Sequence, residues 1–265
     1  ILKQASGIER VLRNHPSVIL MSYLNESMAE KQAHAISRYA YERLFDALDV
    51  VVHNENPERA VKYVDGDYQA PNNGYPDNHC YNIWYDKHGI ALPDLGRGAW
   101  MKVSKGWMYG CGEFGAEGLD FLDLMKRRYP AEWLKKESDG TWNPQYMFGI
   151  YTGAQTWKMH WNWFETQYTM EDWVRESHQH QAWGISHVSR AFRRMPRMNS
   201  FAIHLFIDAW PNCWMKAIMD CERTPKPAWF VYRDALTPLS VQVETERTAF
   251  FSGESYPFKV WICND

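Results

Sequence analysis

His15-Pro-Ser-Val-Ile-Leu-Met-Ser-Tyr-Leu-Asn-Glu26 (HPSVILMSYLNE) decides the fold. Its middle, Ser17–Leu24, is an unbroken apolar run of strand length, as expected of a strand buried on both faces in a parallel sheet. Asn25 and Glu26 end it, and from Ser27 the hydrophobic period changes. Ala33, Ile36, Ala40, Leu44 and Leu48 fall on one helical stripe reaching Asp49. Strand, polar pair, amphipathic helix is a βα unit. Upstream, residues 1–14 read as the tail of a helix with Ile8, Val11 and Leu12 on a shared face.

Downstream the alternation recurs. Arg59–Asp67 and His79–Tyr85 are predicted strands, separated by a stretch rich in Pro, Asn and Gly. Gly106–Gly115 (GWMYGCGEFG) is a fourth strand, followed by a helical pattern through Leu119, Leu122, Met125 and Tyr129. Residues 138–172 are aromatic-rich and irregular. Helices are expected over Glu171–Arg194 and Pro227–Leu236, with a fifth strand at Phe201–Trp210. After Pro238 the pattern becomes alternating and strand-like (SVQVET, TAFF, PFKVWI), the expected start of a β-sandwich at 239–265. Residues 1–238 therefore read as α/β, either an open doubly wound sheet or a (β/α)8 barrel; with five strands counted, a barrel would lack about three, at its N-terminal side or supplied from elsewhere. Starting at Ile1 without a signal-peptide pattern, and ending within a strand-like run, the sequence reads as a piece of a longer protein.

Composition narrows the function. Among 265 residues, 29 Lys and Arg stand against 32 Asp and Glu, with no basic stripe, so nucleic acid is not the expected partner. No apolar run approaches the roughly 18 to 20 residues a membrane helix needs. Five cysteines form no CxxC pair, so neither a disulfide framework nor structural zinc is expected. Fourteen Trp, 15 Tyr and 12 Phe supply aromatic faces of the kind that stack on sugar rings, or fill a large core.

Glu26 and Glu113 each end a predicted buried strand, and in a barrel such ends share one face. A carboxylate pair of this kind can cleave a glycosidic bond, one protonating the leaving oxygen and the other attacking the anomeric carbon. Either glutamate alone would ordinarily be a solvated loop residue. Four ordered segments argue otherwise. His15–Glu26 resembles the acid/base strand of glycoside hydrolase family 2, and Gly110–Asp120 (GCGEFGAEGLD) its nucleophile strand, with Gly112 where Ser is usual. Asn54–Asp67 is similar to the family's fifth-strand segment. Phe206–Phe230 is similar to its eighth strand and following helix, especially in β-mannosidase-like members.

The resemblance implies a retaining exo-β-glycosidase with Glu26 as general acid/base and Glu113 as nucleophile. Asn25 would bond the sugar 2-hydroxyl, Tyr81 or Tyr85 would lie beside the nucleophile, and Trp210 would wall the −1 subsite. Trp161 and Trp163 (MHWNWFE) could stack a sugar or anchor a core. The implied partner is a carbohydrate, together with the missing barrel strands and β-sandwich domains of a parent chain. Neither cofactor nor metal is required, although Asp65, Asp67, Asp77 and His79 are spaced so that they could hold a cation. The rivals are a non-catalytic carbohydrate-binding relative of the same fold and a dinucleotide-dependent oxidoreductase, the latter suggested by Gly110-x-Gly112-x-x-Gly115.

Overall fold

The computed structural model describes residues 1–26, 37–66, 76–84, 90–140, 167–245, 247 and 249–265. Trp161, Trp163, Tyr85, Asp67, Ala33 and Ile36 lie outside them. The chain divides into two compact units. One holds Ile1–His79, Met101–Gly112 and Arg197–Ser200; the other holds Cys80–Trp100, Glu113–Pro196 and Phe201–Asp265.

In the first unit, β1 (Leu20–Asn25) pairs in parallel with β2 (Ala60–Asp65), with Asn25 opposite Asp65. Helix α2 (Arg38–Glu55) connects them, capped by Ser37, whose hydroxyl accepts the Ala40 amide at 3.3 Å. Its buried stripe is Phe45, Leu48 and Val52, with Tyr41 and Leu44 alongside, while Ala40 faces out. Tyr23, Phe45 and Tyr63 stack at 5.0 to 6.4 Å, and Asp49 accepts both tyrosine hydroxyls, at 2.8 and 2.5 Å. Helix α1 (Leu2–Leu12) packs on α2, but not through the expected face: Ile8 and Val11 are exposed. Glu9 turns inward instead. It is fully buried and takes the Arg59 guanidinium on both oxygens at 2.8 to 3.0 Å, so that its charge is paired where it is desolvated.

In the second unit, α5 (Met170–Arg193) is the longest element. Thr169 caps it by accepting the Asp172 amide at 3.1 Å, and acidic residues at its start and Arg190 and Arg193 at its end complement the helix dipole. Around it lie α3 (Leu92–Gly96), α4 (Leu122–Arg128) and α6 (Pro227–Ala235), which begins at a proline. One core cluster joins Leu119, Leu124, Met125, Trp173 and Met215; another stacks Trp100, Phe114, Phe192, Phe201 and Tyr232 edge to face. An antiparallel hairpin of β5 (Leu239–Glu244) and β6 (Lys259–Asn264) is tied back by Arg193, which donates to the Thr237 and Pro238 carbonyls and to Asp265.

Strand β3 (Tyr109–Phe114) pairs with β4 (Met198–Ile203). The predicted strand at His79–Tyr85 shrinks to single parallel bridges, Asp77 to Gly110 and Cys80 to Phe114, because a turn closed by the Trp84 amide on the Tyr81 carbonyl follows at once. The predicted strand at Phe201–Trp210 starts earlier and ends at Ile203, with a turn at Trp210–Cys213. The described strands form three two-stranded sheets in a mixed α/β architecture; they do not close a barrel. No helix among the described residues is long and apolar enough to cross a membrane.

Candidate active site

Glu26 follows β1 directly. Its amide donates to the Asp65 carbonyl at 2.8 Å, extending the β1–β2 pairing by one residue. Its φ of 46° lies in the left-handed region, which a residue with a Cβ adopts only when its surroundings impose it, and such positions concentrate at functional sites. The carboxyl is 41% exposed, and its Oε1 lies 2.6 Å from Nδ1 of the buried His79. Asn25, at the last pair of the ladder, is exposed beside it.

Beneath these residues a charged cluster holds the strand ends in place. Asp77 is fully buried and accepts Lys62 Nζ at 3.1 Å and the amides of Gly66 and Gly112 at 2.7 and 3.0 Å. Lys62 also pairs with Asp65. Burial pushes against the Lys62 charge, yet Asp77 and Asp65 outweigh it and hold the ammonium above its ordinary range. Of the carboxylates expected as possible cation ligands, Asp65 and Asp77 pair with this lysine. The same cluster explains Gly112, because a Cβ there would lie 2.7 Å from Asp65 Oδ1 and 3.0 Å from Asp77 Oδ1. A serine has no room.

In the second unit, Tyr81 donates its hydroxyl to Glu113 Oε2 at 2.6 Å. His204 Nε2 stands 4.0 Å from the other oxygen, Oε1. The Tyr81 and Trp214 rings both meet the His204 imidazole edge-on, at 6.3 and 5.8 Å. Glu113 is only 18% exposed. Trp210 is 61% exposed in its turn, and its indole makes no hydrogen bond or ring contact with a described residue. Among the described residues, the tryptophan packed against His204 is Trp214.

Behind it lies Glu117, fully buried and without a hydrogen-bond partner for either oxygen among the described residues. Burial raises its carboxyl well above the ordinary range, against the opposing charges of Lys216 and Lys226. Asp208 is raised by burial in the same way. Cys80 and Cys111 are buried, the former with its thiol pushed up to about 11 by burial, which suits packing rather than nucleophilic chemistry. Gly110 and Gly112 lie within β3 and the next helix starts only at Leu122, so the glycine pattern does not open a helix as a dinucleotide fingerprint requires.

Sequence reasoning singled out Glu26, Glu113 and Tyr81 but missed His204, Trp214 and Lys216, and treated His79 only as a possible cation ligand. The available signal was weak: His204 follows β4 as Glu26 follows β1, while Glu113 is the next-to-last residue of β3.

No family model and no curated protein matches the chain. Solved structures do. A β-D-mannosidase from Dictyoglomus thermophilum superposes with a TM-score of 0.67 at 14% identity, covering 99% of this chain and 35% of that one. A GH2 β-galacturonidase from Eisenbergiella tayi gives 0.54 at 17% identity, with 94% and 38% covered. The exo-chitosanase CsxA of Amycolatopsis orientalis gives 0.53 at 14% identity, with 91% and 28% covered. At these identities the likeness is one of fold, and the fold is one found in glycosidases. The chain spans about a third of the length of these enzymes.

Proposed function

We propose that this chain is the catalytic part of a longer retaining β-glycosidase, with residues 1–238 contributing to a (β/α)8 barrel and 239–265 opening a β-sandwich. Glu113 is the nucleophile and Glu26 the acid/base. The observation that carries the reading is the Tyr81 hydroxyl on Glu113 Oε2, at the end of a strand, in a fold that glycosidases share. A hydrogen bond to one carboxylate oxygen fixes the plane of the group and leaves the other, Oε1, to attack.

In the first step Glu113 Oε1 bonds to the anomeric carbon as the bond to the leaving oxygen breaks, and Glu26 gives that oxygen its proton. In the second, water attacks the anomeric carbon, Glu26 takes a proton from it, and the Glu113 ester is released. The His79 contact at 2.6 Å holds the Glu26 carboxyl in one rotamer, while its exposure lets leaving group and water reach it. Asn25 bonds the sugar 2-hydroxyl, and Trp214 offers an apolar face beside Glu113. The likeness of Phe206–Phe230 to β-mannosidase-like sequences and the fold likeness to the Dictyoglomus enzyme favour β-mannosides, with β-galactosides next.

The test is the stereochemistry of hydrolysis. Aryl β-mannosides and β-galactosides are offered to this chain and to the longer polypeptide containing it, and the first-formed sugar is read by proton NMR. Release of the β-anomer is expected. First release of the α-anomer would exclude a Glu113 nucleophile; binding without turnover by either protein would favour a carbohydrate-binding relative.

A further inference from the structure

A buried lysine needs compensation, and an apolar side chain of similar volume would fill its place at less cost. Lys216 is 2% exposed. Its Nζ lies 4.4 Å from the centre of the Tyr81 ring and 4.9 Å from that of Trp214. The segment that carries it is held rigidly: Met215 has a φ of 56°, its carbonyl accepts the Gly118 amide at 3.0 Å, and the Trp214 amide donates to Asp208 at 3.2 Å. The Met215 carbonyl also takes Lys226 Nζ at 3.4 Å. The ammonium is therefore set on the face of the tyrosine whose hydroxyl donates to Glu113.

A cation on the face of a phenol is attracted to the ring and draws electron density from it, which makes the O–H a stronger donor. We propose that Lys216 is a positioning residue for Glu113, acting through Tyr81. Its charge holds the ring between itself and His204 and strengthens the hydroxyl bond to Oε2. The kinetic consequence rests on the glycosidase reading; the geometric one does not.

Three variants test it, in the full chain and its longer polypeptide. Lys216→Met should lower kcat about 10- to 100-fold with KM little changed, the signature of a misplaced reacting group. Lys216→Arg should retain most of the rate, since a guanidinium also sits on aromatic faces. In a Tyr81→Phe background, Lys216→Met should cost nothing further, because residues acting through one contact are not additive. Equal losses with and without the Tyr81 hydroxyl would overturn the proposal, as would full kcat in Lys216→Met. If the unsubstituted proteins hydrolyse no glycoside, the glycosidase reading fails by itself. Crystal structures of Lys216→Met then decide: a displaced Tyr81 hydroxyl supports the proposal, and an unchanged 2.6 Å bond to Glu113 overturns it. Should Lys216→Met not fold, Glu117→Gln/Lys216→Met, which also removes the buried carboxyl that has lost one of its two neighbouring cations, takes its place.

Discussion

Glu26 and Glu113 both end strands, yet the two are held in different ways. Among the described residues Glu26 has one side-chain hydrogen-bond contact, to His79, with a left-handed backbone and a carboxyl 41% exposed. Glu113 is less exposed, at 18%, and is held by a tyrosine hydroxyl, with a histidine beside it and a lysine on the face of that tyrosine. The difference suits a division of labour. A group that exchanges protons with a leaving group and with water has to be reached. A group that forms a bond to carbon has to be aimed, and here the Tyr81 hydrogen bond aims it.

The largest effect separates the two. Glu113→Gln should remove hydrolysis by a factor on the order of 10⁴ to 10⁶ for every leaving group, measured as kcat on aryl glycosides. Glu26→Gln should lose roughly 10²- to 10⁴-fold on poor leaving groups and far less on dinitrophenyl glycosides, which depart without a proton in the first step. Equal losses for both variants across leaving groups would erase the proposed division.

Acid should distinguish the second unit by stability. Burial, with Lys226 nearby, pushes the His178 imidazole down to about 4 from its ordinary 6.5, so the folded form holds it neutral. Below 6.5 the unfolded chain binds a proton that the fold does not, and stability falls as pH drops from 6.5 towards 4, by about 3 kcal/mol over that window. Urea midpoints should show this fall, and His178→Gln should flatten it.

The smallest effect lies under Glu26. Gly66 has a φ of 73°, and a Cβ there would stand 2.4 Å from His79 Nε2. Gly66→Ala should cost about 1 to 3 kcal/mol in urea unfolding and shift His79 off Glu26, leaving the Tyr81–Glu113 bond intact in a crystal structure.

The strand ends were legible in the sequence because Asn-Glu and Gly-Glu interrupt apolar runs at defined places; the expected burial of the first run on both faces does not hold, since no residue of β1 is fully buried and Ile19 just before it is exposed. The supports were not legible, because each arises from a long-range contact. His79 reaches Glu26 across 53 residues, and Tyr81 reaches Glu113 across 32. Lys216 reads as any surface lysine until its neighbours close around it. Gly112 looked like a departure from a family pattern, and its reason, the Asp65–Asp77–Lys62 cluster, is visible only in three dimensions. Helix α1 shows the limit of periodicity: Ile8 and Val11 share a face in the pattern yet are exposed, while Glu9 is buried and paired with Arg59, a partner 50 residues away that periodicity cannot show.

The most direct test of the central claim is covalent capture. This chain and the longer polypeptide are incubated with 2-deoxy-2-fluoro-β-mannosyl and β-galactosyl fluorides, and intact mass is followed by peptide mapping. One fluoroglycosyl group on Glu113, absent in Glu113→Gln, is the expected result. A group carried by any other residue would contradict the assignment of the nucleophile.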